Sequence, residues 1–172
     1  KENNSYKNIL DEVASTPAKK VKIAVTDIDG ILRGKVIHLD KFIAIAKSSF
    51  GFCNVVFGWD SSDACYDNAS YTGWHSGYPD ALAKVDFNTY RKVPWDGDIP
   101  FFLADFVDND GKALAVCPRQ LLKKIRDEAT AAGFFPFFSQ EFEWFNFRES
   151  SESFAQKGFQ NPQTLSEGHG IG

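Results

Sequence analysis

Glu141 and Glu143 stand one residue apart in "FFSQEFEWFNF", residues 137 to 147, among five phenylalanines and a tryptophan. Read as a strand, the segment turns residues i and i+2 the same way, so both carboxylates share a face, roughly 6 to 7 Å apart. Phe137, Phe145 and Phe147 lie on that face too. Like charges held against aromatic rings are unfavourable unless something neutralises them. Two divalent cations taking oxygen ligands would do so. A half-exposed face with both glutamates in water is the plain alternative. A glycosidase acid/base pair fits less well, because such pairs normally come from separate segments.

Other residues invite chemistry less strongly. Asp60, Asp63 and Asp67 open a polar, turn-rich stretch, "DSSDACYDNASYTGWHSG" (60 to 77), whose length points to function. Their spacing is not that of an EF-hand, so a solvated loop is expected rather than a calcium site. Ser61 and Ser62 lack the G-x-S-x-G elbow of a serine hydrolase. "RGK" at 33 to 35 lacks the glycine-rich loop that cradles phosphate and reads as charge on a strand edge. His38, His75 and His169 lie far from zinc-ligand spacing. Trp59, Trp74 and Trp95 could line a pocket, but core or interface packing is the expected role.

The elements that must position these residues come from a chain of 172, long enough for one good core or two small ones. Apolar residues make up 43% and charged residues 24%, as in an ordinary globular protein, but 17 phenylalanines imply a large aromatic interior or an interface. The net charge of −4 and scattered Lys and Arg argue against nucleic acid or an anionic membrane as partner. Apolar runs such as "FIAIA" (42 to 46) are too short to span a bilayer, and no signal peptide is visible. Cys53, Cys65 and Cys117 are odd in number and widely spaced, which fits a reducing, cytoplasmic setting. With no methionine and an end at "GHGIG", the chain reads as a piece of a longer protein.

Residues 5 to 14 read as a helix with Ile9, Leu10 and Val13 on one face, ended by Pro17. Val21, Ile23 and Val25 alternate, and Asp29-Gly30 between two apolar runs predicts a two-residue hairpin with positive φ at both. Asp40 is expected to cap a helix, "KFIAIAKSSF", closed by Gly51. Strands are expected at "FCNVVFGW", "DALAKVDF", "TYRKV" and "IPFFLADFVD", with a turn at Asn109-Asp110-Gly111. This is an α+β pattern, one mixed sheet crossed by a helix. From Pro118 a helix with Leu121, Leu122, Ile125 and Ala129 at helical spacing runs to Gly133. The paired-glutamate strand follows directly, as the opening of a second domain too short to be finished here.

"VTDIDGILRGK" (25 to 35), "FGWDSS" (57 to 62), "DGKALAVCPRQLLKKI" (110 to 125) and "EFEWFNF" (141 to 147) resemble, in that order, glutamine synthetase. The similarity is to the bacterial-type branch that includes γ-glutamyl-polyamine and other γ-glutamyl-amine ligases, and it covers roughly residues 18 to 150. After the N-terminal helix segment (1 to 16), the resemblance implies a β-grasp domain (17 to 112) and the start of the catalytic domain (113 to 172). It implies one ligand from each glutamate to a Mg²⁺ or Mn²⁺ ion: Glu141 beside the ATP phosphates, Glu143 beside the acceptor carboxylate. Asp60 corresponds to the aspartate that binds and deprotonates ammonium, reaching a neighbouring subunit's site in a ring of subunits. Trp59 departs from the small residue usual in that loop. The implied reaction makes γ-glutamyl phosphate from glutamate and ATP, then lets ammonia displace phosphate. A polyamine or other amine as acceptor, or an inactive member with an assembly role, are the alternatives. The family's remaining metal ligands, phosphate-binding arginines and glycine-rich ATP segment are not in this sequence, and His169 and Gly170 are given no role.

Overall fold

Val21, Ile23 and Val25 are fully buried, as their alternation requires, on strand β1 (Lys20–Thr26). In this computed structural model, which describes residues 2 to 165, β1 is preceded by helix α1 (Glu2–Ala14). Then come β2 (Leu32–His38), α2 (Leu39–Ile45), β3 (Phe50–Cys53), β4 (Asp80–Val93), β5 (Ile99–Val107) and α3 (Pro118–Ala131). The five strands form one sheet in the order β2-β1-β5-β4-β3. β1 and β5 run parallel, and every other neighbouring pair is antiparallel. This is the mixed α+β sheet that the pattern of elements predicts. Two compact units divide the chain, residues 1 to 135 and 136 to 172.

The first unit's core joins Val13 of α1 and Leu39, Phe42 and Ala46 of the α2 region to the sheet residues Ile23, Val85, Phe102 and Phe106. Phe102 lies at its centre, stacked on Phe42 (4.8 Å between centroids) and Tyr90 (5.2 Å), with Phe87 edge-on at 5.7 Å. Strand alternation sends Asp105 and Asp86 to the opposite face from Ala104 and Val85. There they hold α3. Arg119 donates to Asp105 at 2.5 Å and to Asp86 at 2.8 Å, and Lys123 donates to both.

Several details depart from the sequence reading. The Asp29-Gly30 turn is a five-residue loop, and only Gly30 has positive φ (81°). His38, not Asp40, caps α2, accepting the Asp40 N–H at 3.2 Å, and Gly51 lies in β3 rather than at the helix end. "FCNVVFGW" is a strand only to Cys53, and Asn54–Phe57 turn as a 3₁₀ helix. The two strands expected around Asn88 are one, β4, with a register shift between Asp86 and Arg91. Thr89 bridges that shift: its hydroxyl accepts the Leu103 N–H and donates to the Asp86 carbonyl, standing in for missing ladder bonds. On α3 the apolar stripe does not face the sheet. Leu121, Leu122 and Ile125 stay more than half exposed, because the charged side of the helix does the docking.

Phe42, Phe102 and Phe106 are fully buried and Phe57 nearly so, so the aromatic excess of the first unit is first of all a core. Trp74 (85% exposed) and Trp95 (88%) stand at its surface. In the second unit, helix α4 (Ser151–Gln156) has a reciprocal cap between Ser150 and Ser153. Glu149 ties that cap to its surroundings, accepting from Lys157 and Ser153 at 2.5 Å and from the Gln163 N–H at 2.7 Å. His169 and Gly170 lie outside the described residues.

Candidate functional site

Three hairpin tips share one construction. Asp27, Asp60 and Asp108 each follow a strand-paired residue (Thr26, Trp59, Val107) whose partner lies just beyond the loop (Leu32, Cys65, Ala113). In each, the aspartate N–H donates to the carbonyl four residues on. Its carbonyl accepts from the residue three on. Its Oδ1 accepts the N–H groups two and four residues on. The side chain completes a turn that the backbone alone would leave open. The third residue after the aspartate sits at positive φ: Gly30 (81°), Asp63 (64°) and Gly111 (77°).

Asp60 thus spends Oδ1 on Ser62 (2.8 Å) and Ala64 (2.9 Å), while Oδ2 accepts no hydrogen bond among the described residues. The loop it heads is anchored at both ends. Buried Thr72 donates to Asn54 at 2.5 Å, and the Tyr66 N–H reaches the Gly58 carbonyl at 2.8 Å. Arg33 of β2 braces the tip. Its Nε donates to Asp27 Oδ2 at 2.7 Å, one Nη to Asp63 Oδ1 at 2.5 Å and the other to the Asp60 carbonyl at 3.1 Å. Its guanidinium also lies over the Trp59 ring, 4.8 Å from the centroid. Hydrogen bonding to Asp27, opposed by desolvation and reinforced by Asp63, keeps Arg33 protonated beyond its ordinary range. Tyr66 senses the negative charge here: burial first, then Asp29, Asp60 and Asp27, push its phenol up.

Arg33, Asp27 and Asp63 escape the sequence reading, which places Arg33 on a solvated strand edge and Asp63 in a solvated loop. A signal was available in the repeated spacing of "DIDG" (27 to 30), "DSSD" (60 to 63) and "DNDG" (108 to 111).

Glu141 and Glu143 belong to the second unit, and there the expected strand is missing. Residues 134 to 146 have no regular secondary structure, and both glutamates are exposed. Their aromatic neighbours are exposed with them, Phe137 at 96% and Phe142 at 73%. A strand exists by virtue of a ladder, and among the described residues this segment pairs only at its end, Phe147 with Thr164. The donor type suits Mg²⁺ or Mn²⁺, which prefer carboxylate oxygen. The number does not fill a site, since no group of three His, Cys, Asp or Glu stands together among the described residues. Two carboxylates on an open segment are fewer ligands than such an ion takes.

Comparison with known proteins gives the family. The chain is 46% identical over 165 residues to "Type-1 glutamine synthetase 2" of Dictyostelium discoideum, covering 96% of this chain and 32% of that protein. It is 34% identical over 134 residues to "Glutamate--isopropylamine ligase" of a Pseudomonas species, covering 77% of this chain and 29% of the relative. The chain belongs to the glutamine synthetase family. It spans about a third of the length of these relatives. A cryo-EM structure of Plasmodium falciparum glutamine synthetase shares the fold, with a TM-score of 0.52 and 20% identity over 74% of this chain and 23% of that one. No family model matches the sequence. No helix among the described residues is long and apolar enough to cross a membrane, and Cys53, Cys65 and Cys117 are free thiols.

Proposed function

We propose that this chain is the N-terminal part of an ATP-dependent ligase that joins ammonia to the γ-carboxylate of glutamate through γ-glutamyl phosphate. The observation that carries the reading is Asp60: a carboxylate with one oxygen locked into its own turn and the other left open. The locked oxygen fixes the aim, and the open one is suited to receive a cationic amine. Ammonium bound there gives a proton to Oδ2. The freed nitrogen lone pair attacks the γ-carbonyl carbon of γ-glutamyl phosphate, and the phosphate leaves with the bonding pair. The acidic surroundings of Tyr66 (Asp29, Asp60 and Asp27) favour a positively charged acceptor.

Glu141 would supply a carboxylate to a divalent cation beside the ATP phosphates, and Glu143 to a second beside the glutamate carboxylate. Bound Mg²⁺ or Mn²⁺ would neutralise phosphate charge during transfer. The exposure of this segment agrees with a role completed by residues elsewhere in a longer protein, residues 113 to 172 being the start of a catalytic domain and 17 to 112 the β-grasp domain. The free thiols accord with a cytoplasmic enzyme. A ring of identical subunits, with Asp60 serving the neighbouring site, accords with the exposed Trp74 and Trp95. Light scattering on the full-length protein tests this, and a fully active monomer would overturn it.

The experiment for the reaction is phosphate release by the full-length protein with ATP, glutamate and a panel of amines. Ammonium should be the best acceptor, as the name of the 46% identical relative supports. Preference for a bulkier amine would move the assignment to a γ-glutamyl-amine ligase, and no turnover with any amine to an inactive assembly protein. Asp60→Asn should weaken use of ammonium while leaving ATP and glutamate requirements intact. Unchanged ammonium kinetics in that variant would remove Asp60 from the mechanism.

A further inference from the structure

We propose that Arg33, anchored on the buried carboxylate of Asp27, is the positioning residue that aims Asp60 at its amine; this rests on the reading of Asp60 above. The argument starts from the three matching hairpin tips. Two carry glycine at the left-handed position, the relaxed choice there. The third carries Asp63 at φ 64° instead. What an aspartate adds at that place is its side chain, and that side chain accepts Arg33 at 2.5 Å. The loop accepts a strained residue and gains a tether.

The anchor is rigid from the other side as well. Asp27 is fully buried, and its Oδ1 is held by the N–H groups of Asp29 and Ile31. Its Oδ2 is therefore a fixed point from which the Arg33 guanidinium is hung by Nε at 2.7 Å. The two remaining nitrogens reach across to Asp63 and to the Asp60 carbonyl, and the guanidinium lies over Trp59. One planar group thus joins the end of β1 to both sides of the Asp60 turn. With its carbonyl tied by Arg33 and its Oδ1 tied by the loop, Asp60 has its open Oδ2 set in one direction. Lysine brings the same charge but a single ammonium without the planar fork, so it cannot reproduce these contacts. Arg33 itself touches no substrate in this account; it acts through the loop.

The test uses the full-length protein with ATP, glutamate and ammonium chloride, in Arg33→Lys, Asp63→Asn and Asp60→Asn forms. Hydrogen exchange by mass spectrometry follows the peptide holding the Ser62 and Ala64 amides. Arg33→Lys should speed exchange there about tenfold and raise the KM for ammonium about tenfold, the scale of losing a charge-assisted contact. The KM for ATP should change less than about twofold, while kcat at saturating ammonium should fall several-fold, because Asp60 also takes the proton. Asp63→Asn, which keeps the shape and one acceptor, should fall between wild type and Arg33→Lys. Unchanged exchange in Arg33→Lys would overturn the tether. Faster exchange with an unaltered ammonium KM, while Asp60→Asn still raises it, would overturn the positioning role alone. If Asp60→Asn also leaves ammonium use unaltered, the reading of Asp60 fails and this role falls with it. The exchange result would then report a purely structural tether.

Discussion

Replacing Asp105 by asparagine keeps the side-chain shape and withdraws one charge from the network that holds α3. Asp105 is buried on β5 and receives both Arg119 and Lys123. After the change these two cations face Asp86 alone. Removing one partner of a fully buried pair costs about 3–5 kcal/mol, and of an exposed pair about 0–1 kcal/mol. Here the side chains of Arg119 and Lys123 are 17% and 29% exposed, so part of their hydration survives. An intermediate loss of about 2 kcal/mol follows. With a urea dependence of about 2 kcal/mol per molar for a domain this size, the unfolding midpoint should fall by about 1 M. Far-UV circular dichroism during urea titration reads it. In a cycle with Arg119→Gln the two changes should fall short of additivity by about 1 kcal/mol. A midpoint shift below about 0.3 M, or strict additivity, would refute the view that these charges fasten the helix. Asp86 adds a pH test. Burial pushes its carboxyl up, but the ion pairs with Lys123 and Arg119 outweigh this and leave it below the ordinary range. Its contribution is therefore complete above the unfolded carboxylate value and is lost as pH falls through the lower folded one. Wild-type stability should drop on acidification below about pH 4, and less steeply in Arg119→Gln.

Three further outcomes are expected. Phe102→Ala should cost about 3–5 kcal/mol in the same titration and Phe102→Leu much less, because Phe102 has no exposed surface and three aromatic partners; equal losses would mean the site repacks freely. Gly34→Ala should destabilise by about 1–3 kcal/mol, since a Cβ there would stand 2.8 Å from the Ile23 carbonyl oxygen on the paired strand; an unchanged midpoint would mean that β2 can shift. Glu149, held down to about 2 by Lys157, then Ser153 and the Gln163 N–H, should support the α4 cap above about pH 4.5 and release it towards pH 2. Carbon-detected NMR of its carboxyl carbon checks this, and a midpoint near 4.5 would refute it.

Legibility in the sequence followed the range of the interactions. β1, β5 and α3 were readable because alternation and a Pro-led helix start are local patterns. β4 reads as two strands parted at Asn88, and only the Leu103 N–H on the next strand makes the Thr89 hydroxyl a ladder substitute. The helical spacing of α3 is legible but its docking face is not, because Asp86 and Asp105, which draw its charged side inward, lie on distant strands. At the candidate site, the resemblance points to Asp60 as a candidate, but the brace formed by Arg33 depends on β2 lying beside the loop, which no local pattern shows. The paired glutamates were legible as a pair. Their expected strand was not realised, because alternation marks a segment able to join a sheet and cannot supply the neighbour it joins.

The strand order has a consequence for how the chain is made. β5 sits between β1 and β4, yet it is the last of the five strands to leave the ribosome. Until Ile99–Val107 emerges, β1 can pair only with β2, and β4 only with β3. A nascent chain at that stage carries two separate ladders with open edges, and Phe42 and Tyr90 wait for the ring of Phe102. Closure then needs contacts between the beginning and the end of the domain, which makes it slow and leaves the edges open to other chains. A pause with β4 outside the ribosome and β5 still within it would prolong this exposed stage.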